Sequence, residues 1–217
     1  MFTWSYSSLK EFTNCPKQYY HLKVKQDYEK KATEQMLYGT EVHKALEDYV
    51  RDGTPLAKNY QRFQGPLDAL MEIQGTRYPE HKMALYHDKV PCDFEDEKRW
   101  VRGVVDLLIV DGKSAYIVDY KTGSNKYADP KQLKLMALMA YAHFPDIVSI
   151  KAGLLFITKN VFVPEEYERS DIGRLWAEFT PSLERLRLAY ENDSWPPMPT
   201  GLCGWCPVNT CRFYREK

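Results

Sequence analysis

The chain has 217 residues, of which 44% are hydrophobic and 28% charged, and its 30 basic residues balance 30 acidic ones. This composition is ordinary for a globular protein and predicts a single domain over residues 1–217. The balanced charge excludes a global positive field, so any surface for nucleic acid must be local. The first residues lack the basic and apolar regions of a signal peptide, and no stretch approaches the length of a membrane span. We therefore expect a cytoplasmic protein, or one of the host cytoplasm if it is viral, without a membrane partner.

Two helices are predicted in the first quarter of the chain. The first is short and begins near Ser8 and Glu11, which have the spacing of a capping box. The second runs from Gly39 to about Gly53 and carries His43. Its apolar stripe is formed by three residues at helical spacing: Val42, Leu46 and Tyr49.

Later segments predict a mixed α/β protein. Two runs rich in β-branched residues, 100–110 and 114–121, flank Asp111-Gly112, which is a strong signal for a β-hairpin. A buried helix is expected between Pro130 and Pro145. The remaining elements are a possible helix at 66–74, a strand at 148–158 and a long helix from Ser170 to Asn192. We expect a central mixed sheet flanked by helices, followed by a proline-rich, irregular tail.

Three charged residues of the hairpin are candidates for one site. Asp119 and Lys121 are two residues apart, so their side chains point to the same face of a strand. A two-residue loop of Asp111 and Gly112 would place Asp106 opposite Ile117, and a four-residue loop from Asp111 to Ser114 would place it opposite Asp119. Both registers put Asp106 on the face of Asp119 and Lys121, whereas a three-residue loop would turn it away.

Carboxylates that converge on a largely apolar hairpin repel each other unless a cation lies between them. Oxygen ligands of this kind suit Mg²⁺ or Mn²⁺. Such an ion supports phosphodiester hydrolysis, because it polarises the phosphoryl oxygen and lowers the pKa of the attacking water. Lys121 would orient that water. The alternative is that Asp106, Asp119 and Lys121 are simply solvated on the outer face of a half-exposed sheet.

Four segments, GTEVHKALE, GVVD, IVDYKTG and QLKLMALMAY, resemble in order and spacing the motifs of the RecB-like nucleases, a branch of the PD-(D/E)xK superfamily. The resemblance spans most of the chain and implies a restriction-endonuclease-like α/β core. It also implies a metal-dependent DNA nuclease, more often an exonuclease on single strands or duplex ends than a sequence-specific endonuclease.

The resemblance implies roles for individual residues. Lys121 would be the catalytic lysine, and Gln132 would contact substrate or position that lysine. Glu80 matches an acidic residue that some relatives carry on the preceding strand, although a surface glutamate is the alternative at this position. The implied metal ligands are His43, Asp106, Asp119 and the backbone carbonyl of Tyr120.

Cysteines form a second candidate metal site. The tail contains three at close spacing, and a chain without an export signal is expected to keep them reduced and use them for metal: Cys203, Cys206 and Cys211. Tetrahedral coordination needs a fourth ligand, for which Cys15 is the natural candidate. Its context, SYSSLKEFTNCPKQYY, resembles the iron-sulfur members of the family, including AddB-type and CRISPR-associated RecB-like exonucleases. That resemblance implies a 4Fe-4S cluster joining residues 1–30 to residues 195–217, with zinc as the alternative metal and Cys92 outside the set.

Two functions of a different class remain open from the sequence. One is a non-catalytic nucleic-acid-binding subunit of a recombination or repair complex that retains the fold. The other is a structural protein held together by zinc, in which the hairpin carboxylates have no catalytic role. Intact Asp106, Asp119 and Lys121 favour the nuclease.

Overall fold

One mixed sheet lies at the centre of the computed structural model, which describes residues 2–215 apart from the side chain of Tyr127. Met1, Glu216 and Lys217, which belong to the predicted domain and to its joined termini, lie outside the described residues. The strands are β1 (Thr76–Leu85), β2 (Pro91–Cys92), β3 (Val101–Asp111), β4 (Ser114–Lys121), β5 (Ser149–Phe156) and β6 (Val161–Glu168). Their order is β2-β1-β3-β4-β5-β6, with β4 and β5 parallel and the other neighbours antiparallel.

Helices lie on both faces of this sheet. They are α1 (Tyr6–Asn14), α2 (Pro16–Tyr19), α3 (Glu34–Asp52), α4 (Gln64–Met71), α5 (Lys131–His143), α6 (Ile172–Ala177) and α7 (Thr180–Glu191). A π-helical turn, Tyr20–Val24, follows α2 directly. Within residues 2–215, no helix combines the length and apolar character that a membrane crossing requires.

Two hydrophobic clusters cover opposite faces of the sheet. On one face, α3 and α4 pack against Leu107, Ile109 and Val118. On the other face, α5 packs with α1, α6 and α7 over a cluster that includes Leu108 and Ile117. Helix α5 also connects the parallel strands β4 and β5, and it is apolar nearly all round because it lies between the sheet and the helices α1 and α6. The predicted α/β class, a mixed sheet flanked by helices, is confirmed.

The β3–β4 hairpin sets the register of the candidate site. Asp111 pairs with Ser114 and Leu107 pairs with Val118, so the chain turns at Gly112 and Lys113. Gly112 has a φ of 55°, which glycine adopts without a steric penalty. Continued by one residue, this register sets Asp106 opposite Asp119, which is the register predicted for a loop from Asp111 to Ser114, although Asp111 and Ser114 themselves pair.

The alternation of side chains is interrupted at the same level in two neighbouring strands. Tyr78 and His81 are three residues apart in β1, yet both contact the ring of Phe144, with centroids 5.5 and 5.8 Å away. Val105 and Leu108 are likewise three apart in β3 and lie in the same cluster. A regular strand would send such pairs to opposite faces, so the alternation shifts by one residue between the members of each pair. Glu80 and Asp106 lie at this shift.

Several predicted boundaries were wrong for identifiable reasons. Ser5, not Ser8, caps α1, and it exchanges capping hydrogen bonds with Ser8. Helix α3 begins at Glu34, ahead of the predicted start, because Thr33 caps an exposed first turn that has no apolar stripe. The long helix expected over 170–192 is divided, because Pro181 in the first turn of α7 starts a new helix. Strands β1 and β6 each contain a proline and were not predicted.

Candidate metal centre and catalytic residues

Three side chains from three different elements converge at the interruption of β1 and β3. Possible ligand atoms of His43 on α3, Glu80 on β1 and Asp106 on β3 lie within 4.8 Å of one another. The Nδ1 atom of His43 is 3.4 Å from Oδ1 of Asp106, whose side chain is only 12% exposed. The group lines an open cleft of about 500 Å³, together with residues of α3 that include Thr40 and Lys44.

Glu80 takes part because its backbone is unusual. Its φ is +48°, in the left-handed region that side chains other than glycine rarely adopt. This conformation accompanies the shift in alternation and brings the carboxylate to His43. Burial raises the pKa of Glu80 to about 7, and the nearby charges of Asp106 and Glu47 add to the rise. An acidic group held so close to other acids, at a cost in backbone strain, is typical of a functional site.

Asp106 uses its two oxygens in different ways. Oδ1 faces His43, and Oδ2 accepts a hydrogen bond of 2.6 Å from the backbone N–H of Tyr120. This side-chain contact lies just beyond the last β3–β4 pair, where the carboxylate takes the place of a main-chain acceptor. Asp106 therefore joins β3 to β4 at the level where the regular ladder ends.

The pKa of His43 is raised by a balance of opposing effects. Burial, the largest effect, lowers the pKa, but hydrogen bonding to Asp106 and the negative charges of Asp106, Asp119 and Glu80 raise it more. The imidazole therefore lies in a strongly negative environment. Such a surplus of negative charge favours the binding of a cation.

A polar network lies next to this group, on the α5 side of β4. Asp119 is 2% exposed, and it is the one buried charged residue among those described. Its Oδ1 accepts a 2.8 Å hydrogen bond from Nε2 of Gln132, and its Oδ2 forms an ion pair with Lys121. Lys121 Nζ in turn donates to Oε1 of Gln132 at 3.1 Å. Burial, followed by the charge of Asp106, raises the pKa of Asp119 above its ordinary value, although Lys121 opposes the rise.

This arrangement differs from the prediction that Asp106, Asp119 and Lys121 share one face. Asp106 turns toward His43 on α3, whereas Asp119 and Lys121 meet Gln132 on α5. Within residues 2–215, the compact ligand group contains Glu80 and not Asp119. The shift in alternation at Asp106 is the physical reason, and a regular strand pattern gives no sign of it.

The residues present fit a hard divalent cation. Two carboxylates and an imidazole meet in an open cleft, and the raised pKa of Glu80 indicates that its ionised form needs a compensating positive charge.

The hydroxyl of Tyr120 is buried and has no hydrogen-bond partner in the described part of the chain. Its ring packs edge-on against His43 at a centroid distance of 6.0 Å, which fixes the orientation of the imidazole.

A sequence comparison decides the family once this geometry is known. A sequence model of the PD-(D/E)XK nuclease superfamily matches residues 3–211. The chain belongs to this superfamily. Nucleases of the superfamily use divalent metals, in agreement with the group of His43, Glu80 and Asp106.

A solved structure shows the same fold as this PD-(D/E)XK protein. It is a candidate exonuclease from Eubacterium rectale that is 13% identical, with a TM-score of 0.57, and the match covers 99% of this chain and 90% of that one. The protein SSO0001 is 16% identical, with a TM-score of 0.47, and the match covers 99% and 87% of the two chains. No curated protein matches this PD-(D/E)XK chain in sequence.

Four cysteines of this PD-(D/E)XK protein lie near one another. Burial raises the pKa of Cys206, and three neighbouring thiols add to the rise: Cys15, Cys211 and Cys203. Backbone N–H groups point at two of the sulfurs, from Met198 to Cys15 at 3.4 Å and from Thr200 to Cys203 at 3.3 Å. All five cysteines of the chain are free thiols, and Cys92 has a different set of charged neighbours.

Proposed function

We propose that this protein is a metal-dependent DNA nuclease that hydrolyses phosphodiester bonds with Mg²⁺ or Mn²⁺ as an exonuclease. One observation carries the proposal: His43, Glu80 and Asp106 converge in a cleft beside the network of Asp119, Lys121 and Gln132. A ligand group alone would suit a metal-binding protein of any class. A lysine held next to it adds a cation that can act on a phosphate, as family membership leads us to expect.

His43, Glu80 and Asp106 would hold the metal, and the resemblance adds Asp119 and the carbonyl of Tyr120. When bound, a divalent ion would polarise the phosphoryl oxygen and lower the pKa of a coordinated water. Asp106 also fixes Tyr120, since its second oxygen accepts the Tyr120 N–H. We infer that this hydrogen bond keeps the backbone of β4 in the position that its carbonyl needs.

Lys121 would contact the attacking water or the phosphate oxygen on which negative charge develops. Its ammonium is held by Asp119 and Gln132 while a third of the side chain stays exposed, so it enters the reaction already oriented. Gln132 donates one hydrogen bond and accepts another, and it therefore fixes both partners at once. We infer that Gln132 positions the lysine and does not itself contact substrate.

DNA ends, on single strands or duplexes, are the substrate that we favour. The order of motifs resembles nucleases that act on such ends, and the similar protein from Eubacterium rectale carries an exonuclease name. The ligand group lies in a cleft that a DNA strand can reach.

We further propose that Cys15, Cys203, Cys206 and Cys211 hold a 4Fe-4S cluster that joins the two ends of a single domain. Cys15, Cys203 and Cys211 lie close enough to Cys206 for their charges to raise its pKa. Backbone N–H groups directed at sulfur stabilise charged thiolates. Zinc is the alternative metal for four thiolates.

Digestion of end-labelled DNA by the anaerobically purified protein tests the proposal. We expect labelled single- or double-stranded DNA to be shortened from an end in Mg²⁺ or Mn²⁺ and to stay intact in EDTA. Asp119→Ala and Lys121→Ala should lower the rate by at least about 100-fold while circular dichroism stays unchanged. Asp111→Ala is the matched control, since this aspartate is exposed at the far end of β3. Cleavage that persists in EDTA, or in Asp119→Ala, would exclude this mechanism.

A further inference from the structure

Beyond the metal centre, β1 and β3 carry two cations around one aromatic ring. The Nζ atom of Lys82 lies 5.4 Å from the ring centre of Phe94, and the guanidinium carbon of Arg102 lies 5.3 Å from the same centre. These three residues form what we call the Lys82–Phe94–Arg102 platform. We propose that this platform binds the phosphate backbone of the DNA strand next to the phosphate that is cleaved. The proposal rests on the proposed function and adds the path of its substrate.

The platform faces the same side of the sheet as the metal centre. Neighbouring residues of both strands are buried in the cluster under α5: Met83 and Leu85 of β1, and Val101 and Val105 of β3. Alternation therefore directs Lys82 and Arg102 to the opposite face, which is the face of α3 and His43. Helix α3 packs over the other half of β3, against Leu107 and Ile109, and Lys82 remains exposed.

Distances along the strands place the platform directly beyond the metal ligands. Lys82 is two residues from Glu80, or about 7 Å along the strand, and Arg102 is four residues from Asp106, or about 13 Å. The register pairs Ala84 with Arg102, so the two cations advance in the same direction from the metal centre. A strand whose phosphate lies between Glu80 and Asp106 would meet first Lys82 and then Arg102.

The charge of the platform is only weakly compensated within the protein. Arg102 forms an ion pair with Glu95 at 3.9 Å, and both side chains are well exposed, at 41% and 70%. Among the described residues, no carboxylate lies within ion-pair distance of Lys82. Two like charges beside one ring repel each other, although the ring holds each of them by a cation–π contact. The negatively charged phosphates of a DNA strand would relieve that repulsion.

Salt-dependent binding tests the platform without depending on cleavage. The probe is a fluorescein-labelled oligothymidylate, whose fluorescence anisotropy is followed in EDTA over a series of salt concentrations. For the Lys82→Ala/Arg102→Ala variant, we expect the slope of log K against log salt to flatten by about 1.4, because each contact to single strands contributes about 0.7. That change corresponds to an affinity loss of about 25-fold at about 0.1 M salt, relative to about 1 M. Lys82→Arg/Arg102→Lys should keep the wild-type slope.

Lys113→Ala is the matched control, because this exposed lysine lies in the hairpin turn at the opposite end of β3. An unchanged slope in the Lys82→Ala/Arg102→Ala variant would overturn the platform, as would failure of the wild-type protein to bind the oligonucleotide. Loss of slope in a protein that cleaves no DNA would support the platform and refute the nuclease. Cleavage by the wild-type protein, together with an unchanged slope in the Lys82→Ala/Arg102→Ala variant, would support the nuclease and refute the platform.

Discussion

At the scale of single residues, one backbone angle makes Glu80 a possible metal ligand. The φ of +48° costs free energy, on the order of 1 to 2 kcal/mol for a residue with a Cβ atom. The carboxylate that this conformation delivers is also disfavoured in its ionised form, since its pKa is raised to about 7. A cation bound between Glu80 and Asp106 would offset both costs. In the metal-free protein, Glu80 therefore lowers the free energy of unfolding.

Replacing Glu80 should therefore stabilise the metal-free protein while weakening metal binding. A raised folded pKa means that stability is fully present below the unfolded pKa of about 4.3 and is lost as the pH rises through about 7. Glu80→Gln removes the charge alone, so we expect its gain in unfolding free energy at about pH 8 and not at about pH 4. Glu80→Gly also removes the strain, which adds about 1 kcal/mol at every pH.

Urea unfolding in EDTA at the two pH values measures these differences, and Mn²⁺ titration calorimetry measures the loss of affinity. Glu72→Gln, at an exposed glutamate after α4, is the matched control for a change of charge. A Glu80→Gly protein that is less stable than wild type, or that binds Mn²⁺ as tightly, would contradict this account.

The sequence indicated most residues of the candidate site more clearly than it indicated Glu80. Asp106, Asp119, Lys121, Gln132 and His43 were selected by motif, and the structure brings all of them to one region. For Glu80 the sequence leaves a surface glutamate as the alternative, because a glutamate after a proline gives no sign of a left-handed backbone. Its importance depends on contacts with α3 and β3, which lie far away in the sequence.

At the scale of elements, the hairpin was predictable and its neighbour was not. The turn at Gly112 and the β-branched runs on either side are local signals, and they were sufficient for β3 and β4. Strand β1 carries Pro79 in its middle, which local rules treat as a break, and it becomes a strand because β3 supplies nine register partners for it. The predicted face of Asp106 was wrong because the shift in alternation involves β1 and β3 together, and the sequence of β3 alone does not indicate it.

The junction between α4 and β1 depends on a close backbone approach at Gly75. Its φ is +124°, and a Cβ atom added there would lie 2.5 Å from the carbonyl oxygen of Val110. We expect Gly75→Ala to lower the unfolding free energy by at least about 2 kcal/mol, because both the backbone angle and the contact must change. Chemical denaturation followed by circular dichroism measures the effect.

Gly65→Ala is the matched control for this prediction. Gly65 lies in α4, and a Cβ atom there would meet nothing within 4 Å. Gly65 is the second residue of the helix and precedes Pro66, so we expect this variant to stay within about 1 kcal/mol of the wild-type stability. If Gly75→Ala behaved like Gly65→Ala, the junction would not have the rigidity that the structure gives it.

At the scale of the whole molecule, the fold class followed from the sequence and the joining of the chain ends did not follow from packing rules. Alternating helix and strand patterns predict a mixed sheet with helices on both faces, and the structure has that architecture. Among the described residues beyond α7, Val208 is the one fully buried apolar side chain, and Trp195 packs against the rings of Phe12, Tyr19 and Tyr20 in the N-terminal segment. Hydrogen bonds also tie the tail to the N-terminal segment, including one between Tyr28 and Thr210 at 2.8 Å.

If one cluster joins the ends, its four cysteines should behave as a unit. Cys15→Ser and Cys206→Ser should each abolish bound iron and lower the unfolding free energy by at least about 4 kcal/mol, which corresponds to a melting temperature lower by at least about 8 °C. The double variant should be no less stable than either single variant, because the first substitution already removes the shared cluster. Iron analysis and thermal unfolding under anaerobic conditions check each outcome.

Cys92→Ser is the matched control for the cluster and should keep its iron, since Cys92 lies on β2 outside the set. Additive losses in the double variant would mean that Cys15 and Cys206 stabilise the fold separately, because a shared cluster can be lost only once. Zinc in place of iron would select the alternative metal, and the same non-additivity would then show that one zinc ion joins the ends.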